Sequence, residues 1–513
     1  RSFVPLALLL SAVAMSEAAN SFPLIYEIST RPWLYQLSSK YGSEIKLSNV
    51  PDSELDSIKN MGFDVVWMMG MWALGPYGLH HDQTTPSLLQ SYAQVLPGYT
   101  QADIIGSPYA IVNYTVNPEI GTEDDLAGFR SRLNSKGLHL MLDFVPNHSA
   151  VDAPTTTSEP ELYILGTSSC PSNTCVKRGS NFVYYGADYY NKGWTDTCQF
   201  NYWNPDTIKF KATEFASVAQ RADWIRCDMS HDILNAEIDK TWGSLLRGQG
   251  YSQPDKEFWT VALQAARSAN PSVRVIGEAY NYMFTSEPEE QVLLSLGFDF
   301  VYQKGILDDL KANNLDQLRS LIQSDGASLL AGGVHFTENH DEPRAASVLG
   351  GGMQACAGTA LAFTLPGQRL LYFGQELGYK NKLDVHLRRA APEQPDASAQ
   401  QCYSKMLSIV SADVFKTGTW TYASVANSDQ AWRLVAFHWS KGDDRRLVVV
   451  NFSNSQGSGA VVLSDAPDAT RGSSTIPVKE LFSNVVYQRD PATLRSSGLF
   501  AIVDAWSAQI FEY

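Results

Sequence analysis

The chain is predicted to be an α/β protein built as a (β/α)8 TIM barrel, with an irregular domain inserted after the third strand and an antiparallel β-sandwich at the C-terminus. Three observations carry that expectation. Eight β-type runs alternate with helical patterns, the order that parallel strands with crossover helices require. Four runs lead into acids or histidines: Asp143-Phe-Val-Pro-Asn-His148, Arg226-Cys-Asp228, Ile276-Gly-Glu278 and Thr337-Glu-Asn-His-Asp341. A barrel assembles its site from groups at C-terminal strand ends. The intervals agree: 50 residues from 228 to 278 hold one βα unit with a long loop, and 63 from 278 to 341 hold two. The 85 residues from 143 to 228 exceed one unit and call for an insertion.

Taken in chain order, Arg1–Ala19 has a basic start, an apolar run and small residues, the pattern of a secretory signal. The expected barrel strands are Ile25–Ser29, Val65–Gly70, Leu138–Phe144, Trp224–Cys227, Val273–Glu278, Phe298–Tyr302, Val334–Thr337 and Arg369–Phe373. Among the helices, Asp52–Met61 has an acidic first turn, Glu123–Lys136 follows a Gly-Thr cap and Thr207–Arg221 follows Asn204-Pro. Trp72–Tyr109 reads as a long rim loop, and functional loops are the usual reason for that length. Ser149–Asn201 lacks helical period and is rich in Thr, Ser, Tyr and Asn, which marks the inserted domain. Beyond Trp420 the β-like runs Trp432–Trp439, Arg446–Phe452 and Gly459–Leu463 indicate the sandwich. The expected division is 1–19 signal peptide, 20–148 and 202–420 barrel, 149–201 inserted domain, and 421–513 β domain.

With 513 residues and 44% hydrophobic content the chain can bury a large core. Its net charge, 39 − 54 = −15, disfavours nucleic acid and anionic membranes, which need clustered cations. A neutral ligand tolerates it, and a monomer without an organic cofactor is expected. Cys170 and Cys175 flank a Pro-Ser-Asn-Thr loop and could form a disulfide in an oxidising compartment, with Cys198 in the same region. Cys227 and Cys356 stand in apolar surroundings and read as buried thiols. Asn113-Tyr-Thr, Asn451-Phe-Ser and Asn147-His-Ser match the glycosylation sequon, the last of them expected inside the site.

Three carboxylates on a barrel rim suit glycosidic chemistry, in which one acid attacks or stabilises an oxocarbenium-like centre and a protonated one feeds the leaving oxygen. Arg226 lies two residues before Asp228, on the same strand face, where its cation would keep Asp228 ionised. Glu278 follows Val-Ile-Gly with no adjacent cation, which leaves it free to act as the acid. Asp341 would steady the cationic ring.

The four segments resemble the ordered motifs of the α-amylase superfamily, glycoside hydrolase family 13: DFVPNH the first, IRCD the second, IGEA the third and TENHD the fourth. The resemblance implies a secreted, retaining α-glycosidase that hydrolyses starch, glycogen or maltooligosaccharides. It makes Asp228 the nucleophile, Glu278 the acid/base and Asp341 the transition-state stabiliser. Arg226 would orient Asp228, His148 and His340 would hold sugar hydroxyls, Tyr109 would stack on the sugar, and Asn147 would bind a structural calcium. After the nucleophile the family's amylases usually carry Lys then His; here His231 and Asp232 occupy those places at the leaving-group side. That departure keeps a transglycosylase or isomerase of the same family, and a non-catalytic glucan-binding protein on this fold, among the alternatives.

Overall fold

In the computed structural model, residues 21–171, 173–190, 193–280 and 287–513 are described, so the signal-like segment falls outside them. Eight parallel strands close a barrel in cyclic sequence order: β1 (Leu24–Ser29), β2 (Val65–Met69), β3 (His139–Phe144), β4 (Trp224–Cys227), β5 (Arg274–Gly277), β6 (Phe300–Tyr302), β7 (Gly333–His335) and β8 (Gln368–Tyr372). Every expected run forms its strand, with ends displaced by a residue or two. The strands read as continuous apolar runs because helices cover their outer face while side chains fill the interior.

Register decides which side chains enter the barrel. Ile25 lies opposite Val65 and Leu370, and Arg226 lies opposite Asp143 and Ile276. Ile25, Val65, Met141, Trp224, Ile276 and Val334 belong to the apolar plug of the barrel. Side chains alternate along a strand, so two positions on from this plug the same columns present Glu27, Trp67, Asp143, Arg226, Glu278 and Phe336. The ladder runs on past the strand ends, with Asp228 N–H donating to Phe144 O (2.8 Å) and Glu278 N–H to Cys227 O (2.9 Å). The acids are thereby held on sheet backbone.

The helices begin where capping chemistry dictates. Thr122 Oγ1 accepts from Asp125 N–H and the Asp125 carboxylate accepts from Thr122 N–H, a reciprocal cap on Glu123–Ser135. Asn204 caps Pro205–Arg221, with Pro in the first turn where a missing N–H costs nothing. The long loop after β2 is more ordered than expected. Trp72–Leu74 pairs antiparallel with Ile111–Val116, and helices Pro76–Thr84 and Pro86–Val95 lie between them, each starting at a proline. After β3, His148–Ala150 pairs with Thr197–Gln199, and a three-stranded sheet of Leu165–Gly166, Asn181–Tyr184 and Cys175–Arg178 completes the insertion.

The C-terminal region pairs a six-stranded antiparallel sheet with the two-stranded ribbon Gly457–Val461/Leu499–Val503. Strand Leu434–Lys441 shows why it stays attached to the barrel. Leu434 and Ala436 enter the core between the two sheets, whereas Val435, Phe437 and Trp439 join the main core shared with the barrel helices. Trp439 is fully buried, packs edge-on against Phe415 and donates its indole N–H to Thr364 O at 2.8 Å.

Cys170 and Cys175 form a disulfide, and Cys198 stays a buried thiol outside it. Cys356 corrects the sequence reading: it is disulfide-bonded to Cys402, on a helix 46 residues further on that packs against its own. Cys227 is the buried thiol expected. Of the sequons, Asn113 is exposed on its strand. Asn451 is wholly buried and spends its amide N–H groups on Ser455 O and Val503 O, and Asn147 is buried too, so neither offers an accessible nitrogen. Among the described residues no helix is long and apolar enough to cross a membrane.

Replacing Trp439 by Ala should cost about 3–5 kcal/mol, read as a lower unfolding midpoint in urea. Loss of the barrel and the C-terminal sheet in one transition would show that this seam makes them a single cooperative unit.

Candidate active site

The four segments converge at the C-terminal end of the barrel around one guanidinium. Arg226 is 1% exposed and donates from Nη1 to Asp228 Oδ1 at 2.6 Å. Its Nη2 lies 2.6 Å from Glu278 Oε2, and Nη1 lies 3.6 Å from Asp143 Oδ1. The rings of Trp67, Tyr109 and Tyr302 surround the same guanidinium with centroids 5.2, 5.3 and 5.7 Å away, an arrangement that favours a buried cation. Glu278 therefore has an adjacent cation, contrary to the sequence expectation. Arg226 reaches it across the β4–β5 pair, a contact that spacing along one strand does not reveal.

Three acids around one cation cannot all ionise cheaply. Burial, opposed by Arg226 and reinforced by Glu278, pushes Asp228 up to about 7. Burial also lifts Asp143 to about 6, with Arg226 opposing. The expectation that Arg226 alone fixes Asp228 as a carboxylate is corrected accordingly: the cation is shared. Glu278 Oε2 accepts from Met229 N–H at 2.7 Å and Oε1 from the Tyr280 hydroxyl at 2.8 Å. Met229 adopts φ 39°, a left-handed conformation that a side-chain-bearing residue takes at a cost. That turn aims its N–H at Glu278.

Asp341 is the most open acid, its side chain 46% exposed to the cavity. Beside it His340 is fully enclosed, with Nδ1 2.5 Å from Glu27 Oε1 and Nε2 3.0 Å from Asp341 Oδ2. Tyr109 lies 2.9 Å from His340 Nε2 through its hydroxyl and stacks on the imidazole at 5.4 Å. Burial works against the imidazolium, but Asp341 and Glu27 together raise it to about 10. Burial likewise opposes ionisation of Asp341, yet the His340 cation holds it below the usual carboxylate range. His148 is buried against Trp194, ring centroids 5.1 Å apart, and burial lowers it to about 3, so it is a neutral imidazole.

A cavity of about 370 Å³ opens above this floor, and Tyr109, His148, Asp228, Glu278 and Asp341 all line it. Arg226 lies beneath the wall and acts through the carboxylates. His231 is not brought to the wall. It is fully buried, edge-on behind Tyr280 at 5.6 Å, because the turn at Met229 carries the chain down from the rim. Sequence reasoning missed Glu27 and Tyr280, and marked Asp143 as a strand-end acid without giving it a place beside Arg226. Glu27 occupies an alternate position on a strand that carries a site column, and Tyr280 lies two residues beyond Glu278, so period-two counting could have found both.

Asn147 does not present a calcium site. Its Oδ1 accepts from Gln199 Nε2 at 2.6 Å and its main-chain oxygen from the same nitrogen at 3.0 Å. Gln199 Oε1 accepts in turn from Ala187 N–H at 3.0 Å. An amide N–H group thus points at the oxygens a cation would need, and hard divalent cations want several oxygen ligands, carboxylates among them. Among the described residues no group of three or more His, Cys, Asp or Glu could hold a metal ion.

Two measurements follow from this geometry. Glu27→Gln leaves His340 short of a buried partner and should cost about 3–5 kcal/mol. Since the folded-state value of His340 lies above the ordinary one, its contribution is complete below pH ~6.5 and fades as pH rises through about 10; the variant, left with Asp341 alone, should show a weaker alkaline dependence in thermal melts. Gln199→Ala should cost about 1–3 kcal/mol while chelator leaves the wild-type midpoint unmoved; a fall with chelator alone would show that a cation, not Gln199, links the insertion to the barrel.

Comparison with known proteins shows the family. The family model described as the α-amylase catalytic domain matches residues 52–161 and 210–441. α-Amylase 2 of Schwanniomyces occidentalis is 25% identical over 80% of this chain and 74% of its own length. α-Amylase from Saccharomycopsis fibuligera is 24% identical over 66% of this chain and 60% of its own, so the chain spans well under two thirds of that relative. Among solved structures, a noncanonic maltogenic α-amylase from Thermotoga neapolitana shares the fold with a TM-score of 0.65 at 20% identity, covering 96% of this chain and 98% of its own. An α-amylase from Lactobacillus plantarum does so with 0.67 at 17% identity, covering 97% and 100%. With the catalytic-domain model matched over most of its length, the chain belongs to the α-amylase family of glycoside hydrolases.

Proposed function

We propose that the protein hydrolyses α-linked glucans with retention, through a covalent glycosyl-enzyme on Asp228, in a secretory compartment or outside the cell. The observation that carries the mechanism is the bridge made by Arg226. Asp228 and Glu278 contact different Nη atoms of one guanidinium at 2.6 Å each, which draws them toward the close spacing, about 5–5.5 Å, of double displacement. An Asp228 oxygen attacks the anomeric carbon as the bond to the leaving oxygen breaks, and the Glu278 proton passes to that oxygen. Glu278 then takes a proton from water, whose oxygen displaces Asp228 from the same carbon. Asp341, kept anionic by His340, faces the positive charge that develops on the ring. Tyr109 supplies a flat face for the sugar, and neutral His148 supplies hydrogen bonds to its hydroxyls.

The two disulfides and the exposed Asn113 sequon support an oxidising destination. The complete set of acids speaks for turnover over mere glucan binding.

Asp228→Asn should abolish release of maltooligosaccharide products from soluble starch, with an unchanged circular dichroism spectrum. Activity surviving in that variant would sink the mechanism. In the wild type, the acidic limb of kcat/KM should lie near pH 7, because the nucleophile of the free enzyme must lose a proton that burial pushes up to about 7.

A further inference from the structure

The cavity above Asp228 has two unlike ends. On the Glu278 side it is lined by Met229 and Tyr280, both of which donate to that carboxylate; beyond Tyr109, whose N–H donates to Ser107, the lining includes Ser107, Val385, His386, Asp196 and Trp194. The ring attacked by Asp228 lies among Asp341, His340 and Tyr109, and the leaving group lies past Glu278. The second end therefore receives the glycone.

Three chain segments meet at that glycone end. His81, on helix Pro76–Thr84, places Nε2 2.7 Å from Thr195 Oγ1 of the inserted domain and Nδ1 2.9 Å from Asp82 Oδ1. Asp82 Oδ2 accepts from Ser107 N–H at 3.0 Å. The segment after β8 is fastened to the same loop. Ile105 N–H donates to His386 O at 2.8 Å, and Arg389 grips the Asp103 carboxylate at 2.8 and 3.0 Å. Tyr92, Leu96, Ile104 and Leu387 form an apolar cluster of their own behind it. Asp384 fixes His386 through Nδ1 at 2.8 Å. The result is a continuous wall from the β8 segment through the β2 loop to the insertion, held by partly buried ion pairs, backbone bonds and a small core.

Asp196 stands in this wall. It is 8% exposed, and the charged groups around it are the Asp82 carboxylate and the imidazoles of His81 and His386. Its carboxylate oxygens can accept from hydroxyl groups. The cavity's volume, about 370 Å³, is at the low end for ligand sites, room for one or two sugar rings between its walls.

We propose that this wall blocks the glycone end, so that the enzyme takes α-glucans by their non-reducing terminus and releases glucose or maltose, with Asp196 and His386 receiving the terminal unit's hydroxyls. The inference rests on the glycosidase reading above, and one experiment separates their failures. Maltoheptaose and maltoheptaose carrying a 4,6-O-ethylidene group on its non-reducing glucose are digested in parallel, with products resolved by chromatography. The wild type should release glucose or maltose from the free substrate and turn over the blocked one about a hundredfold more slowly. His386→Gly should speed cleavage of the blocked substrate about tenfold, and Asp196→Ala should raise KM for the free one more than it lowers kcat. Equal wild-type rates on both substrates, with internal products, would overturn the wall and keep the glycosidase. A folded His386→Gly protein that still refuses the blocked substrate would also overturn it. No turnover of either substrate would overturn the glycosidase reading itself.

Discussion

Everything in the site depends on a guanidinium buried where water cannot reach it. Arg226 has no solvent to stabilise its charge, so the barrel supplies aromatic faces around it and carboxylates at its two forks. The β4–β5 pairing sets those carboxylates side by side, and the cation between them offsets their repulsion. Its single positive charge falls short of balancing Asp143, Asp228 and Glu278 together. The shortfall is met by protons, which is why burial wins over Arg226 at Asp228 and Asp143. A site that must hold one acid protonated and release another has its proton inventory set by this imbalance, before any substrate arrives.

A second charge system lies beside the first and is balanced differently. Glu27, His340 and Asp341 form a chain of alternating sign in which only the last member faces the cavity. The interior carboxylate and imidazolium pay for each other, and the outer carboxylate remains an anion. The two systems thus differ on one floor: burial raises Asp228 in the first, and the second keeps Asp341 an anion facing the cavity.

The barrel was legible because its signal is local. Each strand is a compact apolar run, two of the helix starts are marked by the caps Thr122 and Asn204, and the acids follow at strand ends. Contacts across the sheet were not legible. The reach of Arg226 to Glu278 needs the β4–β5 register, and the pairing of Cys356 with Cys402 needs two helices to be neighbours in space. His231 illustrates the opposite error: its place after the nucleophile suggests a wall residue, but one left-handed residue at Met229 turns it inward. Asn147 looks like a cation ligand until Gln199, remote in sequence, is seen to occupy its oxygens.

The alternation of side chains along β4 has a consequence for how this site can change over time. Trp224 plugs the barrel, Arg226 forms the charged layer and Asp228 reaches the cavity, all three by virtue of even spacing. A single-residue insertion or deletion within this strand would exchange its odd and even positions, sending Cys227 inward and both charges into the packed helices. Substitution can tune such a column gradually, but length variation cannot. Diversity in a lineage built on this arrangement is therefore channelled into the loops beyond the strand ends, where parity has no meaning.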